Sequence, residues 1–124
     1  MLKAEISEQT YVVRRLDLFN SETGIRRVIK HIQYIAWPDH GAPTEVQSIL
    51  TFRRAVRQCH DEAEGVMLVH CSAGVGRAGS FICLDMCIRE WQIDGTLDIF
   101  DTVVKLRRCR PHLVRFRMND QLEL

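Results

Sequence analysis

The run Val69-His70-Cys71-Ser72-Ala73-Gly74-Val75-Gly76-Arg77 places a nucleophile and the means to hold an anion in one short loop. A free cysteine titrates near about 8.5, and helix N-termini or neighbouring cations lower that to roughly 3.5–7.5. Cys71 is followed by five small or apolar residues and then by Arg77, whose forked guanidinium suits two phosphate oxygens. Gly74, Gly76 and Gly79 let a backbone wrap closely around such an anion. The chemistry this spacing serves is attack of a Cys71 thiolate on phosphorus. Cleavage of a phosphate ester also needs a proton donor for the leaving oxygen. Asp39, in Ile35-Ala36-Trp37-Pro38-Asp39-His40-Gly41-Ala42-Pro43, is the candidate donor, although taken alone it also reads as a turn residue.

These residues need elements to position them. Residues 66–69 are Val, Met, Leu and Val, too short and too apolar for a surface element, so they predict a strand buried on both faces. From Phe81 onward, Leu84, Ile88 and Trp91 recur at helical spacing, predicting a helix over 78–91. The cysteine loop then lies between a strand end and a helix N-terminus, whose unpaired N–H groups and partial positive charge suit a phosphate. Pro38, Gly41 and Pro43 make the segment around Asp39 a loop. Thr44 with Gln47 reads as a capping box opening a helix over 44–60, with Val46, Ile49, Val56 and Cys59 on its buried side and Leu50 and Phe52 flanking. Upstream, residues 11–19 and 25–35 read as two strands joined by a turn at 20–24, hence a hairpin. Asp98 is a suitable N-cap for a last helix carrying Ile99, Val103 and Leu106, ended before Pro111. The expected class is α/β, a mixed twisted sheet flanked by helices.

With these residues in view, the chain resembles the protein tyrosine phosphatases. His70-Cys71 to Arg77 is similar to that family's signature loop, and Trp37-Pro38-Asp39 with His40-Gly41 resembles the movable acid loop of its phosphotyrosine-specific branch. Gln33-Tyr34-Ile35, Leu106-Arg107 and Arg110-Pro111 also resemble that branch, in the same order along nearly the whole chain. The resemblance implies a tyrosine-phosphatase-like but incomplete catalytic domain over 1–124, with its acid loop at 36–43 and its phosphate-binding loop at 70–77. It implies that Cys71 becomes a phosphocysteine and that Asp39 is general acid first and general base second. Arg77 and the backbone of Ser72, Ala73, Gly74, Val75 and Gly76 would hold the phosphoryl oxygens. His70 would orient the loop, Trp37 belongs to the acid loop, and Gln121 resembles an auxiliary glutamine. The implied partners are phosphotyrosine-containing proteins, with no metal and no cofactor.

Three departures from the family pattern qualify this. Nothing before Tyr11 resembles the family's phosphotyrosine-recognition loop, and the chain ends within what resembles the family's last helices, so a fragment of marginal stability is expected. Ala78 stands where the family has a Ser or Thr whose hydroxyl stabilises the thiolate. Arg115, or Arg117 counted back from Gln121, stands where the family has a water-positioning glutamine. Both changes weaken hydrolysis of the phosphoenzyme. The alternative is therefore a weakly active or inactive phosphatase-like domain that binds phosphotyrosine. A remote alternative is a dinucleotide-binding module, because Gly74-Val75-Gly76-Arg77-Ala78-Gly79 also satisfies G-x-G-x-x-G, with Asp94 or Asp98 as a ribose-binding acid.

Composition narrows the setting. The chain has 124 residues, 46% hydrophobic and 27% charged, which suits one soluble globular unit. Seventeen basic against sixteen acidic residues leave a net charge of +1, which favours neither nucleic acid nor an acidic surface as a partner. No apolar run is long enough to span a membrane. The five cysteines have no paired framework spacing, and Cys83 and Cys87, at i and i+4, lack a histidine nearby to complete a metal site. Reduced thiols fit a cytoplasmic location, free or as the cytoplasmic part of a receptor-type parent. The cluster Arg107, Arg108, Arg110, Arg115 and Arg117 reads as a solvated basic face that could also attract acidic phosphopeptides.

Overall fold

The computed structural model describes residues 2–7, 10–39, 41–63 and 65–115, with the backbone alone for 2–7. Three strands, β1 (Leu2–Ser7), β2 (Tyr11–Phe19) and β3 (Arg26–Tyr34), pair in the order β1-β2-β3, antiparallel throughout. Three helices follow: α1 (Val46–Asp61), α2 (Arg77–Asp94) and α3 (Ile99–Cys109). The α/β class expected from the sequence holds. The chain divides into two compact units, Met1–Gly65 and Val66–Leu124.

In the first unit the hairpin forms where the sequence predicts it. Asn20 closes the turn, its Oδ1 accepting the backbone N–H of Glu22 at 2.9 Å and of Thr23 at 3.1 Å. Gly24 then takes φ +71, a conformation that costs glycine little. Tyr11 and Tyr34 stand directly opposite each other in the β2–β3 register, and the ring of Phe52 on α1 lies 5.9 Å from the first and 5.1 Å from the second. That aromatic contact fixes which face of α1 turns inward: Ser48, Phe52, Arg53 and Val56 are buried. Of the expected inward residues Val56 is correct, Ile49 and Cys59 are half-buried, and Val46 is 62% exposed. The Thr44–Gln47 capping box does not form. Glu45 is the N-cap without a side-chain bond, and Ser48 Oγ donates to the Glu45 carbonyl at 2.8 Å. Ser48 is also 2.6 Å from the Tyr34 hydroxyl, so a polar residue is buried at no unpaired cost and the helix face rotates toward Phe52. Strand β1 was not anticipated, although Leu2, Ala4 and Ile6 alternate with polar residues at strand period.

The second unit corrects one expectation outright. Residues 66–70 carry no regular secondary structure, Val66 is 98% exposed and Leu68 is 86% exposed. A strand is stable only when neighbours take up its backbone groups, and no described strand pairs with this run. Helix α2 does begin directly after the cysteine loop, and its Cys83 and Cys87 join Leu106, Leu113 and Val114 in the core, with Ile82, Met86 and Val103 packed against them. Trp91, expected to face inward, is 60% exposed. Gly95 ends α2 in the left-handed conformation. Asp98 caps α3 as expected, accepting the Asp101 N–H at 2.8 Å. Thr102 is fully buried and satisfied, donating to the Asp98 carbonyl at 2.8 Å, with Glu90 Oε2 at 3.2 Å.

Candidate active site

The thiol of Cys71 is half-buried in the loop that opens α2. Gly76 is the N-cap of α2, with no side-chain capping bond, so the first N–H groups of the helix are free to face the loop. They converge on the sulfur. Burial pushes the Cys71 thiol up, but backbone hydrogen bonds from Ala78, Gly74, Val75 and Arg77 outweigh it and hold the thiol below its ordinary range. The Gly74 N–H lies 3.2 Å from Sγ. The thiolate is therefore stabilised by peptide dipoles, with Ala78 contributing its backbone where it has no hydroxyl to offer.

The loop is itself held from outside by the turn that follows α3. The Val114 N–H donates to the Val75 carbonyl at 2.9 Å. Arg107 donates from Nε to the Leu113 carbonyl at 3.0 Å and from Nη2 to the Val114 carbonyl at 3.2 Å. Arg107 is thus a clamp and not part of a merely solvated basic face. His112 and Val114 take φ values of +66 and +58, and the second, strained for a β-branched valine, is kept because surrounding contacts impose it. Gly79 explains why they fit: a β-carbon there would stand 2.5 Å from the Val114 nitrogen. Gly79 therefore serves this close packing and not the anion, correcting the expectation drawn from the three loop glycines. Gly74, at φ +71, does bend the loop.

Ser72 and Ala73 are exposed, while Gly74, Val75 and Gly76 are half-buried. Arg77 and His70 are exposed, at the first position of α2 and immediately before Cys71 respectively. The structure thus brings Cys71, residues 72–76 and Arg77 into one loop.

The acid loop belongs to the first unit. Trp37 Nε1 donates to the Gly41 carbonyl at 3.1 Å, and its ring meets Tyr34 edge-on with centroids 6.3 Å apart. Gly41 has φ +77, as a tight return requires. Asp39 is exposed at the tip between these anchors. A cleft of about 240 Å³, lined by Tyr34, Ala36, Pro38, Ala42, Glu45 and Ser48 among others, underlies the loop. His40, Arg117 and Gln121 lie outside the described residues, and Arg115 is exposed. Among the described residues no group of three or more His, Cys, Asp or Glu side chains could hold a metal ion. No helix among them is long and apolar enough to cross a membrane. The dinucleotide reading loses its context, because residues 66–70, directly before the loop, form no strand.

The protein-tyrosine phosphatase family model matches residues 1–122. The chain is 41% identical over 106 residues to receptor-type tyrosine-protein phosphatase F of Bos taurus, covering 86% of this chain and 6% of that protein. It is 38% identical over 106 residues to receptor-type tyrosine-protein phosphatase C of Homo sapiens, covering 85% and 8%. Against tyrosine-protein phosphatase non-receptor type 20 of Mus musculus it is 36% identical over 107 residues, covering 86% and 25%. The chain belongs to the protein-tyrosine phosphatase family. It spans a quarter or less of the length of these relatives.

Proposed function

We propose that the chain is part of a protein-tyrosine-phosphatase catalytic domain that hydrolyses phosphotyrosine in proteins through a phosphocysteine. The observation that carries this is the convergence of backbone N–H groups on Cys71 Sγ at the opening of α2, which favours the thiolate against its burial. In the first step the Cys71 thiolate attacks phosphorus and the tyrosyl oxygen leaves with a proton from Asp39. Arg77 and the N–H groups of residues 72–76 hold the phosphoryl oxygens. In the second step Asp39 takes a proton from water, the water attacks phosphorus, and Cys71 leaves as thiolate. His70 orients the loop, and Trp37 anchors the acid loop. Gln121 is assigned an auxiliary part in placing the water. Residues 1–124 form a partial domain with its acid loop at 36–43 and its phosphate loop at 70–77. It acts in the cytoplasm, free or attached to a receptor-type parent.

A second reading rests on Ala78 and Arg115, which supply neither a hydroxyl for the leaving thiolate nor a glutamine for the water. On that reading the domain binds phosphotyrosine and turns it over slowly or not at all. Phosphate release from a phosphotyrosyl peptide, followed from milliseconds to minutes beside Cys71→Ser, separates the two. Steady release that the variant abolishes supports the enzyme. A stoichiometric burst followed by near silence supports the second reading, and peptide binding without any release reduces the chain to a binding module.

A further inference from the structure

The phosphate loop has a cation beside it other than Arg77. A β-carbon built on Gly74 would lie 3.2 Å from both Nη1 and Nη2 of Arg110 and 3.4 Å from Cζ, so the forked end of this side chain rests against the Gly74 backbone. Gly74 is the residue whose N–H meets Cys71 Sγ. Arg107 and Arg110 follow one another around the same clamp but differ in how their guanidinium groups are engaged. Arg107 is committed to the carbonyls of Leu113 and Val114. Arg110 is the C-cap of α3, is exposed, and among the described residues has no ion-pair or hydrogen-bond partner for its side chain. A guanidinium seated on the wall of an anion site, with no carboxylate paired to it among the described residues, raises the local potential for a phosphate arriving from solvent.

We propose that Arg110 is a positioning residue of the anion site: its charge draws the phosphate dianion to the loop and its fork steadies the Gly74 peptide whose N–H points at Cys71. This rests on the reading of residues 70–77 as a phosphate loop. Two consequences follow from physics. The effect acts on anions and spares neutral reagents. It also fades as salt screens it, because the side chain is exposed.

Inorganic phosphate is the probe, and alkylation of Cys71 the readout, followed by peptide mapping because four other cysteines are present. In the wild-type chain phosphate slows alkylation, and anionic iodoacetate is favoured relative to neutral iodoacetamide. Arg110→Met is expected to raise the phosphate concentration for half-protection about three- to tenfold at low salt and to lower the iodoacetate-to-iodoacetamide rate ratio in parallel. Both effects shrink at high salt, and Arg110→Lys recovers part of each. Circular dichroism checks that each variant folds, and Arg110→Gln replaces Arg110→Met should the latter fail to. Wild-type protection and an unchanged ratio in Arg110→Met overturn the proposal. So does a folded Arg110→Lys as defective as Arg110→Met, which would leave Arg110 only a packing role. Failure of phosphate to protect the wild-type chain overturns the phosphate-loop reading itself, and the role of Arg110 with it.

Discussion

Cys71 illustrates how a thiol can be acidified by backbone. Each N–H in the turn contributes a partial charge, and four backbone groups together overcome the desolvation that would otherwise raise the pKa. Cys83 is the internal contrast. Burial first, and then Cys87 at close range, push it up to about 11. Alkylation by iodoacetamide is therefore expected to modify Cys71 well before Cys83 at neutral pH, with the Cys71 rate reaching half its plateau below the ordinary thiol range. The linkage sign agrees: a lowered folded-state pKa stabilises the fold above the ordinary thiol value, and that contribution is lost as pH falls through the lowered one. Ala78 marks what backbone donors leave undone. It is 5% exposed and already supplies its backbone to the sulfur, so Ala78→Ser adds a hydroxyl beside an existing donor. A hydrogen bond to a charged group is worth about 1.5–3 kcal/mol, or roughly tenfold or more. Ala78→Ser is expected to shift the Cys71 alkylation profile to lower pH and to speed phosphoenzyme hydrolysis by about that factor, seen as a faster steady phase after the burst. An unchanged steady phase with a shifted profile would separate thiolate acidity from leaving-group ability.

The cysteine loop is shaped between two elements, α2 behind it and the turn after α3 beside it. The second contact depends on one absent methyl group. Gly79→Ala would put a β-carbon 2.5 Å from the Val114 nitrogen, with the Leu113 side chain at 3.2 Å. Backbone cannot yield as a side-chain tip can, so the segment at 113–114 must lift from Val75 and from the core it shares with Cys83 and Leu106. Overpacking of this kind costs about 1–3 kcal/mol. Gly79→Ala is therefore expected to lower the denaturant midpoint and also to slow Cys71 alkylation, because the loop loses its support. This element was only half legible beforehand. The loop-then-helix order, the hairpin and the Asp98 cap are local, since glycine placement, capping side chains and apolar period are written within a few residues. The clamp is not local: Arg107 reaches Leu113 and Val114 through a turn at φ +66 and +58, and only the folded chain brings that turn against Gly79. The inward face of α1 was misjudged for a similar reason. Phe52 is drawn in by Tyr11 and Tyr34, strand residues more than a dozen positions upstream.

At the scale of the whole molecule, residues 66–69 set the behaviour to be expected in solution. Their apolar character was plain in the sequence, but the strand inferred from it requires partners, and the described sheet contains β1, β2 and β3 alone. Val66 and Leu68 are consequently left in solvent, as are Phe100 at 81% exposure and Ile93 at 75% on the second unit. An uncharged, proline-free run that pairs with no described strand is a template for association with another chain. Burying an exposed Val or Leu is worth about 1.5–3 kcal/mol each, so the drive to cover this run is comparable to a good part of a small unit's stability. The isolated chain is expected to scatter light in proportion to concentration and to bind a hydrophobic dye. Val66→Lys with Leu68→Lys should reduce both by severalfold without removing the far-ultraviolet signal of α2 and α3, because neither side chain belongs to the core around Cys83 and Leu106. Phe100→Ser offers an independent control on a different surface: association driven by 66–69 leaves the Phe100 variant as prone to scatter as the parent chain. A parent chain that is monomeric, binds no dye and melts in one reversible step would show that the run is covered in solution by a packing this structure does not contain.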